Sequence, residues 1–152
     1  MIAPKRLPLL LAILAGFPAQ GQQVLDCTGY QASAYNLVEP WEAHSATFAN
    51  GDIRVALLDT VEPAAAAFYL LVIAPPYDEL GLPGCSVIAE TGGMGFGGLD
   101  FSTLAAAYDP GAGLTLSLAG SRFDASSGDF RPMTLALTIN QSTGVLTPVV
   151  RP

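Results

Sequence analysis

The 152-residue chain is 51% hydrophobic and holds 13 acidic against 6 basic side chains, for a formal charge of −7. Lys5 and Arg6 sit at the very start, so residues 22–152 keep all thirteen acids against only Arg54, Arg122, Arg131 and Arg151; thirteen less four leaves that part near −9. A surface so acidic repels nucleic acid and anionic lipid, which are bound by clustered Lys and Arg, and favours a basic protein as partner.

Residues 1–21 read as a cleavable secretory signal. Lys5-Arg6 forms a positive start, Leu7–Phe17 a short apolar stretch, and Ala19 and Gly21 the small residues before a cut. The apolar run is about half the roughly 20 residues that a membrane-spanning helix needs. Export to the periplasm or cell exterior follows, with residues 22–152 as a single domain and no membrane span after cleavage. The later apolar stretch Ala64–Ala74 is also too short to span, and it ends at Pro75-Pro76.

In that oxidising compartment the two cysteines, Cys27 and Cys85, are expected to form a disulfide. Asp26, immediately before Cys27, argues against a lipid-modified N-terminus, because that processing needs a small uncharged residue there.

Period-two alternation dominates the rest of the chain and places large apolar side chains on one face of each strand. Ile53, Val55 and Leu57 alternate with Asp52, Arg54 and Ala56; Leu114, Leu116 and Leu118 with Thr115, Ser117 and Ala119; Met133, Leu135, Leu137 and Ile139 with Thr134, Ala136 and Thr138. The expected strands are 24–34, 44–49, 52–59, 66–74, 85–90, 99–108, 113–120, 132–140 and 144–150. Asn50-Gly51 suits a two-residue hairpin turn with positive φ at both positions. That turn pairs Ala49 with Asp52, Phe48 with Ile53, Thr47 with Arg54 and Ala46 with Val55, a register that agrees with the apolar pattern.

The apolar run 68–73 reads as a central strand covered on both sides. Segments 60–67 and 102–108 are alanine-rich, a helical feature, but their neighbours favour strands. The fold class expected is all-β, a mainly antiparallel sandwich or small barrel with one disulfide.

Catalytic side chains are scarce: residues 22–152 contain no lysine and one histidine, His44. With Ser45 and a remote acid His44 would suit a hydrolase, and with Glu42 a metal site. The hairpin register sets it opposite Leu57 beside the core, and no second histidine or Gly-x-Ser-x-Gly elbow supports either chemistry.

Gly93-Met94-Gly95-Phe96-Gly97-Gly98 spells a dinucleotide fingerprint, but no helix signal follows to hold a pyrophosphate. Met94 and Phe96 are instead expected at the tip of a contact loop. Asp124–Asp129 lacks the spacing and the liganding Glu of a calcium loop and reads as a turn. Tyr77-Asp78-Glu79, between prolines and beside Cys85, forms a stiffened loop of the kind that presents binding residues.

Neither a metal, a cofactor nor a catalytic residue is expected. The leading expectation is a non-catalytic binding or interaction module; the alternatives are a β-barrel carrier of a small apolar ligand and, behind it, a hydrolase using His44.

Overall fold

A computed structural model describes residues 21–152; the predicted leader, apart from Gly21, lies outside them. Among the described residues nine strands form: β1 (Gln23–Asp26), β2 (Ser45–Phe48), β3 (Ile53–Asp59), β4 (Phe68–Tyr77), β5 (Pro83–Ala89), β6 (Gly98–Asp109), β7 (Gly113–Asp124), β8 (Asp129–Ile139) and β9 (Leu146–Arg151). They build two sheets, one ordered β1-β5-β4-β3-β2 and the other β6-β7-β8-β9, and every pairing is antiparallel. The sheets do not join into a barrel. The molecule is a sandwich.

The alternating residues meet between the sheets. Ile53, Val55 and Leu57 of β3 with Leu70 and Val72 of β4 face Leu116 and Leu118 of β7 and Leu135, Leu137 and Ile139 of β8. These side chains fill the interlayer space, as apolar burial drives them to do. Among the described residues the two sheets do not close into the barrel that the carrier expectation assumed.

The Asn50-Gly51 register is as the turn dictates: Phe48 pairs with Ile53, Thr47 with Arg54 and Ala46 with Val55. Asn50 and Gly51 take φ of 56° and 95°, but Ala49 also turns left-handed at 52°. Ala49 and Asp52 thus belong to the turn, joined by the Asp52 amide donating to the Ala49 carbonyl at 3.2 Å. Opposite Leu57, as expected, lies His44, whose carbonyl accepts the Leu57 N–H at 2.9 Å.

The first sheet has a second, smaller core on its outer face. Leu58, Tyr69, Val87 and Ala89 are buried there beneath Leu25, Cys27, Ala32 and Leu37. The cover runs through 3₁₀ turns at Tyr30–Ala32 and Ala34–Asn36, whereas the sequence predicts a strand over 24–34. That strand stops at Asp26, whose carboxylate turns the chain by accepting the amide of Thr28 at 2.7 Å. Asn36 then ties successive turns together through the carbonyls of Tyr30 and Gln31. With apolar layers on both faces, β4 is the doubly covered strand its composition predicts.

Segment 60–67 is neither strand nor helix. It is a loop closed by the Thr60 amide and hydroxyl on the Ala67 carbonyl, at 3.0 and 3.2 Å, with Val61 at a φ of 65°. Segment 102–108 is strand, within β6. Cys27, just past β1, and Cys85 of β5 are disulfide-bonded, which pins the start of the outer cover to the sheet.

Candidate functional site

Two connections meet at one end of the first sheet: the β2–β3 turn and the β4–β5 loop. The bridge between them is a hydrogen bond from the Tyr77 hydroxyl to Asp52 Oδ1 at 2.9 Å. As hydrogen-bond acceptor, Asp52 stabilises the protonated phenol and raises the Tyr77 pKa above its ordinary value. Loop residues 78–82 are organised by Asp78. Its Oδ1 accepts the amides of Leu80 and Leu82, both at 2.8 Å, while its own N–H donates to the Leu82 carbonyl at 2.8 Å. Gly81, at a φ of 80°, completes the turn.

Such side-chain-to-backbone bonding holds a short loop in one shape. Here that shape holds Leu80 and Leu82 away from both cores, 85% and 59% exposed. Tyr77 beside them is half exposed, and Asp52, Asp78 and Glu79 supply negative charge around the leucines. An apolar tip with carboxylates in the same loop and in the adjoining turn, and with Arg54 near Tyr77, can grip a surface that is itself apolar and basic.

Of the residues singled out in the sequence, Tyr77 belongs to this site and the glycine-run residues do not. Met94 lies at the opposite end of β4, in a turn closed by hydrogen bonds between Thr91 and Met94, and is about half exposed. Phe96 is not available for contact: it is 0% exposed in the main core and pairs with Phe68 of β4. Gly95 explains why. A Cβ there would stand 2.5 Å from the Phe68 carbonyl and 2.6 Å from that of Ala66, so only glycine lets the run lie flat on the sheet and deliver Phe96 inward. The run leads into strand β6, so no helix N-terminus follows to meet a phosphate.

The side chains of His44 and Ser45 do not engage one another. His44 Nδ1 lies 3.1 Å from the Pro40 carbonyl and its ring sits edge-on to Phe101, while the Ser45 hydroxyl donates to the Trp41 carbonyl at 2.7 Å. Both brace the turn that leads into β2. Asp124 shapes the β7–β8 turn by accepting the Ser126 amide at 2.9 Å and hydroxyl at 2.6 Å. Among the described residues, no group of three His, Cys, Asp or Glu side chains is placed to hold a metal.

Compared with protein-family models, curated proteins and solved structures, the chain matches none. The functional assignment therefore rests on the geometry.

A concavity of about 540 Å³ opens where β5 leaves the sandwich beside the β7–β8 hairpin. Arg122 and Arg131, cross-strand partners, line it. Each is committed to an acid, Arg122 Nε to Glu90 at 3.0 Å and Arg131 Nε to Asp124 at 3.4 Å. Arg122 and Glu90 thereby link the two sheets.

Sequence pattern alone did not single out Leu80, Leu82 or Asp52. The signal available was a pair of large apolar residues, Leu80 and Leu82, inside a loop of turn formers where no alternation assigns them to a core.

Proposed function

We propose that this protein is a non-catalytic interaction module that docks a basic protein partner through the 77–82 loop, in an oxidising compartment outside the cytoplasm. The observation that supports the docking site is the exposure of Leu80 and Leu82 on a loop whose backbone is held by Asp78. Exposed apolar side chains grouped on one tip, here Leu80 and Leu82 beside Tyr77, form the kind of patch that contact sites use. A rigid loop also loses little conformational entropy on binding. Carboxylates around the tip, within a domain carrying thirteen acids and four cations, supply the electrostatic preference and a fast, salt-sensitive encounter. The disulfide supports that compartment, since cytosolic reductants tend to keep thiols reduced.

The test is calorimetric titration with a defined probe, a peptide alternating arginine with leucine. Leu80→Ser is expected to weaken binding by about tenfold, the share of one central apolar anchor. Glu79→Lys is expected to slow association and flatten its salt dependence. Binding unchanged by both substitutions overturns the docking site. Reproducible substrate turnover that disappears in a folded His44→Ala protein overturns the non-catalytic assignment.

A further inference from the structure

A sandwich with two open sheets has four edge strands, and each is a template for another chain unless something blocks it. Three edges here are blocked. Strands β1 and β2 are four residues long, and β1 ends at Asp26 beside the disulfide. Strand β9 contains Pro148, which has no N–H to donate, and Arg151; its Val150 amide is already taken by the Gln22 side chain at 3.1 Å.

Strand β6 has none of these devices along its second half. It runs for twelve residues, and from Phe101 to Tyr108 there is no charge and no proline. A bulge interrupts its pairing with β7 between Asp100 and Ala105, and the strand is regular from Ala105 to Asp109. Ala105, Ala106 and Ala107 are exposed, and among the described residues β7 is the sole strand beside β6.

We infer that β6 is a self-association edge, pairing antiparallel with β6 of a second copy about a two-fold axis at Ala106. Identical strands related by such an axis are self-complementary, as a closed dimer requires. The register follows from parity. Ala106 and Tyr108 pair with the inward residues Leu116 and Leu114 of β7, and Leu104 packs on the main core. Inward positions must meet inward positions for the two sandwiches to lie on the same side of one continuous sheet. Ala106 therefore faces Ala106 of the other copy, Leu104 faces Tyr108, and Ala105 faces Ala107. Only small residues meet at and beside the axis.

The observation that points to an occupant is the apolar hollow beside this edge. Phe48, Tyr108 and Leu114 line a space of about 390 Å³, and Tyr108 is 66% exposed there although it stands on the inward side. A second β6 brings its Leu104 against Tyr108 at the mouth of that hollow. Two such contacts form per dimer, related by the axis. Net repulsion between two acidic copies opposes pairing, so added salt strengthens the dimer rather than weakening it.

Sedimentation equilibrium of the purified protein over roughly 1 µM to 1 mM, the range of ordinary non-obligate association, tests this. The expected result is a monomer–dimer equilibrium that tightens with salt. Ala106→Lys sets two like charges directly opposite on the axis and is expected to weaken association at least tenfold. Ala119→Lys makes the same charge change on the exposed face of β7, opposite Asp100 of β6 and away from the axis at Ala106, and is expected to dimerise like the parent. A parent protein monomeric over the whole range overturns the inference. So does equal dimerisation of the Ala106→Lys and Ala119→Lys proteins.

Discussion

Asp124 shows how much a single exposed carboxylate can be tuned by its own turn. Hydrogen bonds from the Ser126 hydroxyl and amide, with Arg131 adding to them, hold its pKa at about 2. Because the folded-state value lies below the ordinary one, folding favours the ionised form. The associated stability is present above about pH 4, the unfolded carboxylate's range, and is lost as pH falls through about 2. An NMR titration of the Asp124 carboxyl carbon is expected to give a midpoint near 2, and Ser126→Ala to move it up toward the ordinary range. An unchanged midpoint in Ser126→Ala would assign the shift to the remaining donors, chiefly the residue-126 amide. His44 and Ser45 give the complementary lesson. Their adjacency suggested a catalytic pair, but each side chain bonds to the backbone carbonyl of a nearby turn residue, and that geometry was not legible from neighbouring letters.

At the scale of elements, the glycine run is the segment whose sequence and structure diverge most. Its letters suggest flexibility and an exposed tip; instead the backbone lies on β4 and Phe96 enters the core, because Gly95 leaves room for two carbonyls and the Tyr69 ring. Gly95→Ala is expected to destabilise the fold by about 1–3 kcal/mol, the usual cost of overpacking a tight contact, read from the midpoint of urea unfolding. A change of a few tenths would mean that the run adjusts freely. The strands themselves were legible: the alternation in β3, β7 and β8 and the Asn50-Gly51 register appear in the pairing as written. Segment 24–34 was not, since mixed apolar and polar residues there suit a row of turns as well as a strand. What made it a cover was the second apolar face of the sheet beneath it.

At the scale of the whole molecule, the Cys27–Cys85 disulfide joins residues 58 apart and locks that cover in place. Replacing both cysteines by serine is expected to cost roughly 4 kcal/mol in the chain-entropy model. Hydrogen exchange should report the loss first in 27–44 and then at Leu58, Tyr69 and Val87. Equal protection in parent and variant would show the cover held by packing alone. Two layers plus a cover also account for the high apolar content: the apolar residues pack into two cores.

Local pattern determined which side of each strand is apolar, where the sharpest turn falls and that the two cysteines pair, because these depend on side-chain period, turn chemistry and compartment. The strand order, the second core, the burial of Phe96, the exposure of Leu80 and Leu82 and the uncovered edge of β6 were decided only in three dimensions. Alternation says that a face must be covered but not by which segment, and an edge is exposed only when every other strand has found its neighbour.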